Sequence, residues 1–106
     1  MKQPGPATRA EFSRVGGVTV DQHRNVIVTD TINNVVWAIA AHAGTFYGRA
    51  MTAGDIYVVA GGGTRILGDG GPATRAKFDP VNVAVSAAGS LLVTDNADNR
   101  IRAIAP

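Results

Sequence analysis

The chain has 106 residues, enough for one small folded unit, and it contains 13 glycines and no cysteine. Without cysteine it has no disulfides, no thiolate nucleophile and no cysteine-ligated zinc site. Its formal net charge is +2, but the Lys and Arg residues are scattered, which argues against a nucleic-acid-binding surface. No apolar stretch reaches the ~20 residues of a membrane helix, so no membrane partner is expected. The polar start MKQPGPATRA predicts no signal peptide; it leaves the compartment open, and a secreted bacterial parent stays compatible with the sequence.

The apolar residues predict short strands rather than helices, because Val dominates and recurs at alternate positions. In chain order, strands are expected at 17–21, 26–29, 35–39, 56–60, 82–86, 91–94 and 100–104. The alternating valines of 17–21 and 82–86 predict strands with one face better buried than the other. The continuous apolar runs of 26–29 and 91–94 predict strands covered on both faces. The segment PATRAEF could form only a helical turn, and residues 41–55 are expected to connect two strands.

These strands belong to an internal repeat. GPATRAEF at 5–12 matches GPATRAKF at 71–78 in seven of eight positions, and the strands that follow align with one residue fewer between them. Val18, Val28, Asp30, Asn34 and Ile39 then fall on Val83, Val93, Asp95, Asn99 and Ile104. Self-similarity of this kind is the signature of repeat architectures. The first repeat unit covers residues 1–60 with four strands, and the second covers residues 61–106 with three.

The repeat carries a recognisable motif. GDGGPATRA, a Val-rich strand, and then G-x-L-x-V-x-D-x-x-x-N-R-I-R resembles the NHL repeat of bacterial β-propellers. The match is good over 68–105 and looser over 5–60, where Arg24-Asn25-Val26 replaces Gly-Asn-Leu and Val35-Val36 replaces Arg-Ile. The resemblance implies an all-β fold of β-propeller blades, each a four-stranded antiparallel sheet. It does not imply one function, because such propellers serve unrelated roles.

The number of repeat units raises the question of ring closure. Propellers of this family usually have six blades, and two blades cannot close a ring. We therefore expect oligomerisation to complete a six-bladed ring, as a homotrimer with a heterologous interface. A monomeric fragment and a different oligomer are the alternatives. Met1 to Gln3 of a neighbouring chain could pair along an outer strand, although Pro4 and Pro6 limit the length of that pairing.

Polar residues that repetition would set in a circle are the candidate ligand-binding residues. They are Asp30, Asn34, Asp95, Asn99, Arg100 and Arg102. The two arginines could hold an anionic ligand, or they could pair with Asp95, Asp98 or a neighbouring carboxylate. The Asp and Asn residues are also explained as caps of the turns between strands, with no ligand involved.

The sequence does not match other motifs that carry chemistry. Residues 95–99 lack the EF-hand pattern, and Asp69 stands where a phosphate loop has lysine. His23 and His42 are the only histidines, and His23 is expected to be solvated in its turn. No serine has an adjacent base. The sequence therefore predicts no cofactor, no metal site and no catalytic constellation.

Taken together, these features predict a non-catalytic β-propeller repeat module that acts as a self-assembling binding or interaction scaffold. Its main partner would be itself, with a small-molecule or protein ligand left unidentified. The alternative is a metal-dependent lyase or hydrolase with a site in the central channel, an activity of some related propellers. A third interpretation is a truncated or engineered propeller piece without a ligand.

Overall fold

The structure is a computed structural model that describes residues 5–9, 14–61, 65–66, 76–77, 80–95 and 100–106. These residues form an all-β fold with a single 3₁₀ helix at Ala7–Arg9, the short helical turn that the sequence predicted. The described part of the chain contains no helix with the length and hydropathy to cross a membrane. Residues 68–71, whose sequence Gly-Asp-Gly-Gly is typical of a turn, lie outside the described residues.

Four strands that follow one another along the chain form an antiparallel meander. They are β2 (Val15–Val20), β3 (Val26–Asp30), β4 (Val35–Ile39) and β7 (Asp55–Gly61). The two-residue strand β1 (Gly5–Pro6) pairs with the outer edge of β7. These five strands, in the order β1-β7-β4-β3-β2, are called the N-terminal sheet. Gly5 and Pro6 thus pair within their own chain, and the pairing expected for Met1 to Gln3 lies outside the described residues.

A β-hairpin occupies the connection between β4 and β7. Its strands are β5 (Gly44–Phe46) and β6 (Arg49–Met51), and its two-residue loop is Tyr47-Gly48. Both loop residues have positive φ, at 53° and 78°, as a type I′ turn requires. Sequence reasoning missed this hairpin, because Tyr-Gly is not one of the usual I′ pairs such as Asn-Gly. A second short pair, β8 (Arg65–Ile66) and β9 (Ala76–Lys77), is parallel.

The remaining strands form a second antiparallel sheet, called the C-terminal sheet. It consists of β10 (Pro80–Val85), β11 (Leu91–Asp95) and β12 (Arg100–Ile104), in that order. Its register reproduces that of the N-terminal sheet, with every position shifted by 65 residues, as from Val18 to Val83. The register shift between Val15 and Val18 recurs between Pro80 and Val83. All seven strands expected from the sequence are present, with ends within two residues of the prediction.

Each sheet has two chemically distinct faces. The face called the valine face carries Val18, Val20 and Val28 in the N-terminal sheet, and Val83, Val85 and Val93 in the C-terminal sheet. The opposite face is called the isoleucine face. It carries Ile27, Val36 and Ala38 in the N-terminal sheet, and Leu92, Ile101 and Ala103 in the C-terminal sheet.

The two sheets stack through unlike faces. Ile27, Val36 and Ala38 belong to one hydrophobic cluster with Val83 and Val93, so the isoleucine face of the N-terminal sheet packs on the valine face of the C-terminal sheet. Leu91 and Ile104 complete this core on the side of the C-terminal sheet, and Tyr57, Val59 and Met51 extend it on the side of the N-terminal sheet. A smaller cluster of Val28, Val35, Trp37 and Ile56 lies on the valine face of the N-terminal sheet.

No described sheet packs on the valine face of the N-terminal sheet or on the isoleucine face of the C-terminal sheet. The valine face of the N-terminal sheet is exposed along β2 but buried at Val28, Val35 and Trp37. Two sequence expectations are corrected at these faces. The alternating valines are covered in β10, where Val83 is buried, but in β2 Val18 and Val20 are 62% and 57% exposed. Likewise β3 is covered on both faces, whereas β11 alternates buried and exposed residues and leaves Leu92 37% exposed. No described sheet packs against Val18 and Val20 of β2 or against Leu92 of β11.

Candidate functional site

Asp30 has a turn-capping role in the structure. Its side chain is buried at the end of β3, where Oδ1 accepts hydrogen bonds from the backbone N–H groups of Arg14 (3.2 Å), Ile32 (3.3 Å) and Asn33 (3.2 Å). Its Oδ2 accepts a bond of 2.8 Å from the Asn33 amide. Asn34, exposed in the same turn, adopts a φ of 58°, a conformation that asparagine tolerates well. These two residues therefore shape the turn between β3 and β4.

Asp95 and Arg102 form a buried ion pair. Arg102 Nη1 lies 3.2 Å from Asp95 Oδ2, and the two side chains are 7% and 0% exposed. Arg100 is exposed at the start of β12, opposite Asp95 in the strand register. The structure thus brings Asp95 and Arg102 together in the pairing that the sequence offered as the alternative to ligand binding. Asn99 lies outside the described residues.

A polar network that sequence reasoning missed surrounds Asp21, in the turn after β2. Oδ1 of this buried carboxylate accepts the backbone N–H groups of His23 and Asn25, both at 2.8 Å. Oδ2 accepts the Asn25 amide at 2.9 Å and the Tyr47 hydroxyl at 2.6 Å. The network therefore ties the β5–β6 hairpin to the first turn of the N-terminal sheet.

These contacts fix the ionisation of both partners. Burial by itself would raise the pKa of Asp21, but the hydrogen bonds from Tyr47, Asn25 and His23 outweigh it and hold the pKa below its ordinary value of 3.8. Burial, followed by the hydrogen bond and the charge of Asp21, raises the pKa of Tyr47 above its ordinary value of 10.0. At neutral pH the pair is a carboxylate and a neutral phenol. The carboxylate accepts four hydrogen bonds, which uses its lone pairs and leaves no capacity to act as a base.

A cleft of about 250 Å³ opens beside this network, between the turns of the two sheets and the hairpin. It is lined by Asp21, Gln22, His23, Thr45, Phe46, Tyr47, Ala88, Gly89 and Pro106. The His23 ring is exposed, as expected, and lies 5.1 Å from the Phe46 ring between centroids. Gln22 Nε2 donates to the Ala87 carbonyl oxygen at 2.9 Å, which links the turns of the two sheets. No group of three or more His, Asp or Glu side chains that could hold a metal occurs among the described residues.

Exposed aliphatic side chains lie on the two outer sides of the stack. On the valine face of the N-terminal sheet, Val18 and Val20 are more than half exposed. On the isoleucine face of the C-terminal sheet, Ile101 is 74% exposed, and Leu92 and Ala103 are exposed beside it. The sequence predicted one better-buried face for the strand of Val18 and Val20, and cover on both faces for the strand of Leu92; it predicted no cover for Ile101.

No protein-family model and no curated protein matches this chain.

Proposed function

We propose that this chain is a non-catalytic β-propeller repeat module of the NHL type that associates with copies of itself to form a binding scaffold. Each of the two sheets would be one blade, and three chains would supply the six blades of a ring. The four-stranded meander of the N-terminal sheet and its repetition in register by β10, β11 and β12 support the assignment of blades.

One observation carries the proposal: both outer faces of the two-sheet stack expose aliphatic side chains. Val18, Val20 and Ile101 are each more than half exposed. Exposed aliphatic area favours association by about 25 cal/mol per Å² removed from water. A stack with an apolar face at each end can add further sheets at both ends, which is what ring closure requires.

The polar residues support a scaffold rather than an enzyme. Asp21 is saturated by four hydrogen bonds, Asp30 is used by its turn, and Arg102 is paired with Asp95. A catalytic carboxylate needs a lone pair or a proton that it can exchange with a substrate. These three acidic residues are instead committed to turns and to the contact between strands.

Molar mass in solution tests this function. Size-exclusion chromatography with multi-angle light scattering should give about three times the chain mass of 10.9 kDa, falling towards one chain mass on dilution. A mass of one chain at every concentration would contradict self-association. A defined mass other than three chains would retain self-association but contradict the six-bladed ring.

A further inference from the structure

We propose that the cleft beside the Asp21 network binds a quaternary ammonium group, a nitrogen that carries a fixed positive charge and no N–H. The cleft is lined by residues of a single chain, so its binding does not require several chains to assemble. None of the candidate ligand-binding residues that the structure describes is among the residues that line it. The cleft therefore adds a ligand class to the proposed scaffold and can be tested separately from it.

A negative charge lies at the cleft and has only neutral hydrogen-bond partners. The Asp21 carboxylate is 7% exposed, and its four donors are two backbone N–H groups, the Asn25 amide and the Tyr47 hydroxyl. These donors stabilise the charge but do not cancel it. Among the described residues, the lining of the cleft contains no Lys or Arg side chain. A cation in the cleft would therefore be attracted to a charge that no basic side chain of the lining neutralises.

The same network selects the kind of cation. An N–H of a primary ammonium or a guanidinium needs an acceptor, and the lone pairs of the Asp21 carboxylate are already used by four donors. A primary ammonium is also strongly hydrated, whereas the methyl groups of a quaternary ammonium leave water readily. A quaternary ammonium can thus lie in the field of Asp21 without displacing Asn25 or Tyr47.

Three aromatic side chains line the cleft, those of His23, Phe46 and Tyr47. The His23 and Phe46 rings lie 5.1 Å apart between centroids with their planes inclined by 45°, so they form two adjoining walls rather than a parallel stack. The face of an aromatic ring attracts a cation that lies within about 6 Å of its centroid. Clustered aromatic rings are the usual means by which proteins recognise quaternary ammonium groups.

The aromatic walls are positioned before a ligand binds. The Tyr47 hydroxyl donates to Asp21 at 2.6 Å, which fixes the end of the phenol. A Cβ atom on Gly44 would lie 2.9 Å from Cζ of Phe46, so the Phe46 ring lies over a residue that has no side chain. Phe46 also packs against the core between the two sheets. A preformed site spares the ligand the free energy of ordering these side chains.

The size of the cleft suits a small head group. Its volume of about 250 Å³ lies just below the roughly 300–1,000 Å³ of sites that enclose drug-sized ligands. On the side of the C-terminal sheet it is bounded by the small residues Ala88 and Gly89 and by Pro106. Gln22 Nε2 donates to the Ala87 carbonyl oxygen at 2.9 Å, which holds the turns of the two sheets together at this boundary.

The first experiment compares three ligands on the unchanged chain. Choline, its neutral isostere dimethylbutanol and the primary amine ethanolamine are titrated into isotopically labelled protein at pH 8, where histidine side chains are ordinarily neutral. With choline, the NMR signals of the backbone amides of Gln22, His23, Phe46 and Gly89 should shift, with a Kd of about 1 mM. The alcohol lacks the charge and ethanolamine brings N–H groups, so each should bind at least about tenfold more weakly.

Each ligand can contradict the proposal in a different way. Equal binding of dimethylbutanol would mean that the cleft is only apolar, and equal binding of ethanolamine would mean that it accepts any cation. A choline titration that leaves the four amide signals unchanged would mean that the cleft does not bind the group at all. Any of these three results would overturn the proposal.

Two substitutions test the charge and the ring separately. Asp21→Asn removes the charge, and Phe46→Leu removes the ring but keeps an apolar side chain. Each should weaken choline binding at least about fivefold. Asp55→Asn is the matched control, because it changes the net charge by the same amount at a residue that does not line the cleft. Unaltered choline affinity in either cleft variant would contradict the proposal, as would an equal loss in the control.

Folding and assembly are measured alongside binding. Circular dichroism establishes that each variant is folded, and if Asp21→Asn does not fold, Phe46→Leu and the three ligands on the unchanged chain still decide the outcome. Light scattering reports self-association independently of choline. Binding of choline by a chain that stays monomeric would refute the proposed ring and keep the site, whereas assembly without choline binding would refute the site and keep the proposed function.

Discussion

At the scale of single residues, the left-handed backbone positions show how the two repeat units keep one geometry with different side chains. Arg24 has a φ of 66°, and its equivalent, Gly89, has a φ of 88°. The turn therefore retains its conformation although the first unit has a residue that rarely adopts it. Gly61 and Gly48 have nearly the same φ, at 80° and 78°, but their surroundings differ.

This pair of glycines gives the first prediction. Gly48→Ala should cost about 1 kcal/mol of unfolding free energy, since open space surrounds the new Cβ and only the positive φ is unfavourable. Gly61→Ala should cost about 1–3 kcal/mol more, because its Cβ would lie 2.3 Å from the Asn34 carbonyl oxygen. Urea unfolding of both variants, followed by Trp37 fluorescence, measures the difference. Equal costs would contradict the close contact at Gly61.

The buried pair of Asp95 and Arg102 gives the second prediction. Arg102→Met or Asp95→Asn alone should destabilise the fold by about 3–5 kcal/mol, since each leaves an uncompensated buried charge. The double variant should recover most of that loss, because neither charge then remains. A double-mutant cycle from urea unfolding measures the coupling. Additive losses would mean that the two side chains do not depend on each other.

At the scale of elements, the β5–β6 hairpin depends on tertiary contacts. Tyr47 lies in the loop with positive φ, and its hydroxyl donates to Asp21. On the other side, Arg49 Nη1 donates to the Val58 carbonyl oxygen at 2.9 Å, and its guanidinium lies over the Tyr57 ring at 5.2 Å. The hairpin is therefore attached both to the first turn of the N-terminal sheet and to β7.

The third prediction concerns the pH dependence of this attachment. The lowered pKa of Asp21 stabilises the fold above pH 3.8, and this contribution is lost as the pH falls through the folded pKa. The raised pKa of Tyr47 stabilises the fold below pH 10.0, and this contribution declines above that pH, where the unfolded chain ionises first. Tyr47→Phe should therefore cost about 1–2 kcal/mol at pH 7.

The difference in unfolding free energy between the unchanged chain and the Tyr47→Phe variant should shrink below pH 3.8 and above pH 10.0. Urea unfolding at pH 3, 7 and 10.5 measures it, and the pH 7 sample serves as the reference for the other two. A difference independent of pH would contradict the hydrogen bond to Asp21.

At the scale of the whole molecule, stability should depend on protein concentration. Self-association stabilises the folded chain by mass action, so the thermal midpoint should rise by roughly 5–10 °C over a hundredfold increase in concentration. Ile101→Glu should remove most of this dependence on concentration. It places a charge on the exposed isoleucine face of the C-terminal sheet, where the charge should oppose self-association. Differential scanning calorimetry at several concentrations measures both proteins. A midpoint that is constant for the unchanged chain would contradict self-association.

The sequence by itself determined the class of the fold. Seven strands, their bounds to within two residues, and the repeat that relates them follow from the period of the valines and from the GPATRA motif. The alternation of side chains along a strand is a local property, so it can be read without knowing what lies beside the strand. The turn-capping role of Asp30 was partly within reach for the same reason, because Ile32 and Asn33 lie within three residues of it, whereas the hydrogen bond from the Arg14 backbone N–H joins residues 16 positions apart.

Only the tertiary structure decided which faces meet and which stay open. Alternation shows that a strand has two faces, but the number of sheets that stack on them is a property of the whole chain. The sequence therefore placed Val18 and Leu92 against other sheets, whereas the stack of two ends at these residues. The hairpin and the Asp21 network were missed because Tyr47 is held by a residue 26 positions away, and no local pattern encodes that hydrogen bond.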